Sequence, residues 1–215
     1  MSTGNKHENF FDKVAESWDD DPHRVGLARS VTEKIIENVP LNDKMISMEF
    51  GCGTGLISIN LAPKVKKVIA VDSSENMLET LKRKMEQFNC RNIVTHRLDP
   101  DALELPFEEK IDFIFSSMVF HHIKETDGLL RMLYGTMNLK GYLAVDYLDK
   151  EDGSFHGGIL VDVQHFGFKR KDLAEKMKSA GFTPISDLTA HVFTKPNKEG
   201  IQTEYPIFLM IARKD

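Results

Sequence analysis

The sequence predicts an α/β fold: a seven-stranded, mostly parallel sheet with helices on both faces, a helical N-terminal extension and an antiparallel hairpin at the C-terminal end. Three observations predict it. Short apolar runs alternate with amphipathic stretches along the 215 residues, and successive βα units demand parallel strands joined by right-handed crossovers. One run, Val68-Ile69-Ala70-Val71, is continuously apolar, as a strand covered on both faces must be. The first run, Met45-Ile46-Ser47-Met48, leads into the glycine-rich turn Gly51-Cys52-Gly53-Thr54-Gly55 and then a helical-looking stretch.

Phe11, Val14, Ala15 and Trp18 recur at helical spacing, so a helix is expected over residues 7–18. Asp19-Asp20-Asp21-Pro22 interrupts it, and a second helix carries Leu27, Ala28, Val31 and Ile35 up to Pro40. After the glycine turn and the Val68–Val71 strand, Met77, Leu78, Leu81 and Met85 mark a helix. Strands are expected at 92–96, 111–115 and 142–145, with a helix carrying Leu129, Leu130, Leu133 and Met137 before the last of these. A helix over 172–180 stops at Gly181, a residue suited to the left-handed position past a helix end. Two β-rich segments, 188–194 and 205–212, flank Pro196-Asn197-Lys198-Glu199-Gly200 and read as a hairpin with a longer loop.

The length suits one well-buried domain. A net charge of −5 gives no electrostatic reason to bind nucleic acid or an anionic membrane. The basic run Lys169-Arg170-Lys171 reads as a solvated helix start. The two cysteines, Cys52 and Cys90, suggest neither a disulfide scaffold nor a zinc site. No apolar run approaches the roughly 20 residues of a membrane-spanning helix, and the N-terminal residues lack a signal peptide's apolar core. A cytoplasmic protein is expected, as a monomer or homodimer.

The glycine turn discriminates between ligands. A dinucleotide-binding turn places its third glycine three positions after the second; here Gly55 follows Gly53 by two. The Gly51-x-Gly53-x-Gly55 spacing resembles motif I of the class I S-adenosylmethionine-dependent methyltransferases, in which an acidic residue, here Glu49, commonly closes the preceding strand. Three companions support the resemblance: Asp72 at the end of the second strand, the segment Asp99-Pro100-Asp101-Ala102-Leu103-Glu104-Leu105-Pro106-Phe107, and the fourth strand with its exit Ser116-Ser117-Met118-Val119-Phe120-His121-His122. Together these motifs span residues 45–123. The broad group it resembles includes the ubiquinone- and menaquinone-biosynthesis methyltransferases.

That resemblance implies a Rossmann-like domain over residues 41–215, with residues 1–40 as a helical extension or lid. It implies S-adenosyl-L-methionine as cofactor, with the Gly51–Gly55 backbone along the methionyl end and Asp72 on the ribose hydroxyls. An alternative role for Asp72 is to cap the helix that follows. Asp101 is placed at the adenine amino group and Ala102 at a ring nitrogen, with Asp99 as the alternative carboxylate. The expected cofactor set is Glu49, Gly51, Cys52, Gly53, Thr54, Gly55, Asp72, Ser73, Met77, Asp99, Asp101, Ala102, Ser116 and Ser117.

Methyl transfer from a sulfonium needs positioning and water exclusion rather than a covalent enzyme intermediate. A general base near neutrality suits a proton-bearing acceptor, and His121 and His122 at the end of the fourth strand are the candidates. Either one, alternatively, packs beneath the cofactor. His156 and His165 flank the less legible segment after the fifth strand, and Asp146 and Asp149 follow that strand either as pocket-lining residues or, by default, as surface aspartates. No metal is expected, because no short His/Asp/Glu spacing supports one. A small-molecule acceptor is favoured over nucleic acid, since Ser116-Ser117-Met118-Val119 stands where base-amino methyltransferases often carry Asn/Asp-Pro-Pro-aromatic. The rival readings are a catalytically silent S-adenosylmethionine-binding sensor or partner subunit, and a nicotinamide-dependent oxidoreductase.

Overall fold

The structure, a computed structural model, describes residues 6–98, 104–155 and 163–215. In chain order the elements are α1 (Lys6–Val14), a 3-10 turn (Ala15–Asp20), α2 (Pro22–Asn38), β1 (Ile46–Phe50), α3 (Leu56–Leu61), β2 (Lys67–Asp72), α4 (Glu75–Gln87), β3 (Ile93–Arg97), β4 (Ile111–Ser117), α5 (Thr126–Thr136), β5 (Met137–Leu148), α6 (Arg170–Ser179), β6 (Phe182–Pro196) and β7 (Gln202–Lys214). The seven strands form one sheet in the order β3-β2-β1-β4-β5-β7-β6. Pairings from β3 through β5 are parallel, while β7 runs antiparallel to both β5 and β6.

The order reverses direction between β1 and β4. The chain steps outward from β1 through α3 to β2 and α4 to β3, then returns to β4 and steps the other way through α5 to β5. Right-handed crossovers in opposite directions place α3 and α4 on one face and α5 on the other. The carboxyl ends of β1 and β4 meet at that reversal, where open α/β sheets hold ligands.

Burial on both faces is strict in the centre. Val68, Ile69, Ala70 and Val71 of β2 are each 1% exposed or less, as are Phe113, Ile114 and Phe115 of β4. Leu61, Leu81, Leu130 and Leu133 press helices onto these strands, and each such side chain contributes about 1.5–3 kcal/mol by leaving water.

Several boundaries differ from the sequence expectation; β5, for one, begins at Met137, a residue expected in the helix before it. The first helix stops at Val14 and tightens into the 3-10 turn before Asp21, whose side chain accepts from the His23 N–H at 2.9 Å and caps α2. β6 begins at Phe182, six residues before the expected Leu188, and contains Pro184. An edge strand tolerates a proline because one row of its N–H groups faces no neighbour, and β6 bulges beside it, between Pro184 and Ser186. Asp146, read from the sequence as a surface residue, lies within β5 and is only 2% exposed. The strand continues past Val145 to Leu148, paired to β7 on one side and to β4 on the other. Asp149 does take a surface role, with the Arg170 guanidinium forked onto its two oxygens at 2.8 and 2.7 Å.

Candidate active site

β1 delivers the chain into a turn whose three glycines all have positive φ, at 75°, 50° and 74° for Gly51, Gly53 and Gly55. Their reasons differ. A Cβ on Gly51 would sit 2.3 Å from a Val119 methyl, and one on Gly55 would sit 2.3 Å from a Leu81 methyl. Those two glycines permit close packing of protein on protein. A Cβ on Gly53 would meet nothing within 4 Å, because that position faces a cavity of about 570 Å3. Gly53 therefore leaves room for something other than the chain itself.

Asp72, at the end of β2, holds this turn. Its Oδ2 accepts from the Gly53 N–H at 2.7 Å and its Oδ1 from the Ser74 N–H at 2.9 Å. Burial raises its pKa, and these backbone donors oppose that rise. Asp72 also lines the cavity.

Beneath the turn lie two buried acids. Glu49 is 2% exposed, and its Oε2 accepts from the Ser58 N–H at 3.0 Å and from the Ser58 hydroxyl. This ties the end of β1 to α3. Desolvation raises its pKa to about 8, against the Ser58 hydrogen bonds, so it is mostly protonated at neutral pH. Asp146 Oδ2 accepts from the Ser117 hydroxyl at 2.9 Å, and desolvation lifts its pKa likewise to about 8. Just past the end of β4, Met118 adopts φ +52° and lines the cavity. A non-glycine residue held there costs about 1–3 kcal/mol, strain of a kind that clusters at functional sites.

The N-terminal segment lines the cavity and is hydrogen-bonded to the glycine turn and to α4. Asp19 Oδ1 accepts from the Thr54 hydroxyl at 2.6 Å, while Asp19 Oδ2 accepts from Lys84 Nζ at 2.6 Å. Lys84 closes the triangle by donating to the Thr54 carbonyl at 2.9 Å. Asp12 Oδ1 accepts from the Ser74 hydroxyl at 2.5 Å and from the Asn76 N–H at 3.2 Å. Phe11 packs edge-on against Trp18 at 5.8 Å and against His122 at 5.5 Å. His122 in turn stacks beside His121, with ring centroids 3.7 Å apart, and His121 lies over Tyr147 at 5.2 Å.

Residues 48–141 match the family described as a methyltransferase domain. The chain is similar, beyond that stretch, to proteins named as methyltransferases. It is 29% identical over 153 residues to an uncharacterized methyltransferase of Schizosaccharomyces pombe, an alignment covering 65% of this chain and 54% of that protein. The chain thus spans about half the length of that relative. It is 23% identical over 187 residues to the ubiquinone biosynthesis O-methyltransferase of Rickettsia bellii, covering 83% of this chain and 77% of that one. Among solved structures, a SAM-dependent methyltransferase from Aquifex aeolicus shares the fold, with a TM-score of 0.69 and 19% identity over 95% of this chain and 98% of its own.

Of the residues expected at the cofactor, and of the two candidate bases, Glu49, Gly51, Cys52, Gly53, Thr54, Asp72, Ser73, Met77, Ser117, His121 and His122 all line one cavity. Two expected residues do not. Gly55 turns toward Leu81, and Ser116 is buried with its hydroxyl donating to the Phe50 carbonyl at 2.8 Å, which ties β4 to β1. Asp99, Asp101, Ala102 and His156 lie outside the described residues. The sequence reading passed over Phe10, His23, Arg24, Phe155, Phe193 and Lys195, which also line the cavity. For the last two a signal existed: Phe193 and Lys195 are two apart in a strand and so share a face. Among the described residues no group of three or more His, Cys, Asp or Glu side chains is placed to hold a metal ion. No helix among them is long and apolar enough to cross a membrane.

Proposed function

We propose that the domain catalyses methyl transfer from S-adenosylmethionine to a small-molecule acceptor. One observation carries the reading: Asp72 is hydrogen-bonded to Gly53 at the point where that glycine opens onto the cavity. A cavity of about 570 Å3 falls within the ordinary range for small ligands of roughly 300–1,000 Å3. Gly51 through Thr54 would lie along the methionyl end, Asp72 would take the ribose hydroxyls, and Met77 and Leu98 would flank the base. Bound there, S-adenosylmethionine supplies an electrophilic sulfonium methyl for in-line attack by the acceptor.

The chain's own contributions are placement and dryness. Glu49, neutral near pH 7, puts no second full charge beside Asp72. Phe11 and Trp18, held down through Asp12 and Asp19, exclude water from the centre of the cavity. His122, half-buried and in contact with Phe11, stands where it can take a proton from an acceptor hydroxyl or amine; His121 packs beneath it on Tyr147. The enclosed aromatic walls and the net charge of −5 favour a small acceptor over a polyanion.

The test is release of S-adenosylhomocysteine when the purified protein and S-adenosylmethionine meet fractionated small-molecule extracts. Release that depends on a fraction below protein size, and that is lost in His121→Ala/His122→Ala, supports the reading. Cofactor binding with no release from any fraction would contradict it.

A further inference from the structure

We propose that the outer end of the cavity selects acceptors bearing a carboxylate on an apolar or aromatic body, with Lys195 as the residue that pairs with the acid. The inference rests on the reading of this cavity as a methyltransferase site and names the acceptor class it takes.

β6 is separated from β1 by β4, β5 and β7, so its end lies well across the sheet from the glycine turn. It nevertheless contributes to the same cavity, because its final residues reach the N-terminal helices. The Ser30 hydroxyl of α2 meets His191 Nδ1 at 3.1 Å, and the His23 and Phe193 rings lie 6.1 Å apart. Lys195 follows Phe193 by two along the strand and lines the cavity with it. The wall farthest from the glycine turn is therefore aromatic and carries an ammonium group.

That ammonium is fixed but has capacity to spare. Nζ donates to the Phe155 carbonyl and lies 3.7 Å from the Phe155 ring centroid, with the Tyr205 ring at 5.7 Å. An ammonium has three N–H donors, and the carbonyl uses one. Among the described residues, Glu151 is the carboxylate whose charge acts on it. The other strong cation at the cavity is already engaged: Arg24 pairs with Asp21 at 3.4 Å and lies 3.8 Å over Trp18. The cavity's acids do not compensate either. Asp72 is bound into the glycine turn, and Glu49 is mostly neutral.

A partly desolvated ammonium beside aromatic walls discriminates strongly for a carboxylate, because few waters remain to screen the pair. Burial lowers the Lys195 pKa, which fits a group that gains from a counter-ion when the cavity fills. Neutral analogues of the same shape keep the aromatic contacts and lose the charge pair.

The experiment is calorimetric titration of the full chain, saturated with S-adenosylhomocysteine, with naphthoate, cinnamate and octanoate and with their carboxamides. At least one acid should bind, about tenfold or more tighter than its amide. Lys195→Gln should bring acid and amide to equal affinity, and Lys195→Arg should keep the preference. S-adenosylhomocysteine affinity, measured first on every variant, should stay at the wild-type value. Equal binding of acid and amide by the wild type, no acid binding at all, or an acid preference that survives Lys195→Gln would overturn the proposal while cofactor binding stands. Failure of the wild type to bind S-adenosylhomocysteine would instead refute the underlying reading.

Discussion

Asp72 and Gly53, nineteen residues apart in the chain, are joined by a hydrogen bond of 2.7 Å from the glycine N–H to the carboxylate. The bond fixes the one glycine of the turn at which a Cβ would meet nothing, and it orients the carboxylate proposed to hold the ribose. Shaping the turn and binding the ligand are thus tasks of the same side chain.

Asp72→Ala removes the acceptor for two backbone donors together with the ribose contacts. S-adenosylmethionine affinity should fall by at least about tenfold, and stability by about 1–2 kcal/mol, less than for a fully buried bond because the Gly53–Asp72 bond is part-buried. Calorimetry and urea denaturation read the two effects separately.

Glu49 and Asp146 make stability depend on pH in an unusual sense for carboxylates. With a folded pKa of about 8 against an ordinary 4.5, Glu49 binds its proton more tightly in the native state. Its contribution is complete below pH 4.5 and is lost as pH rises through about 8. Asp146 adds a loss of the same sign, from 3.8 to about 8. Urea denaturation at a series of pH values should show stability falling from acid to neutral. Glu49→Gln should lessen that slope by up to about 1.4 kcal/mol per pH unit.

Asp19→Ala leaves Lys84 without its carboxylate partner and frees the Thr54 hydroxyl, so the N-terminal segment loses one of its anchors. If the segment acts as a lid, cofactor affinity should drop several-fold, with faster proteolysis ahead of Pro22. Core melting should shift little, since the pair is partly exposed and contributes about 1 kcal/mol. Unchanged affinity would argue that the segment is only packed there.

Gly55→Ala should lower stability by about 1–3 kcal/mol, because it forces a side chain into a left-handed position against Leu81. Thermal melting would detect it without any ligand. A neutral result would mean that Leu81 yields more readily than its burial implies.

Much of this fold was legible because periodicity and glycine spacing are local signals. The alternation of apolar runs gave the parallel core, and Asp72 stood out by its place after a strand. What escaped notice was long-range. Asp146 read as a surface residue because an aspartate after Val145 resembles a strand exit; only pairing with both β4 and β7 shows that β5 continues and buries it. Phe193 and Lys195 looked like an ordinary edge hairpin, since nothing in their neighbourhood records that β6 reaches α2. Two anchors, Asp12 on Ser74 and Asp19 on Thr54, span 62 and 35 residues and leave no mark in any short window.

The central claim is that the cavity beside Gly53 holds S-adenosylmethionine, and its most direct test is calorimetric titration of that cofactor into the wild type and Gly53→Asn. Asparagine tolerates the left-handed backbone and would project only into the open space a Cβ finds there. The account predicts one-to-one binding by the wild type and a loss of at least about tenfold in the variant, with melting unchanged. Equal affinity in both proteins would place the cofactor elsewhere and contradict the account.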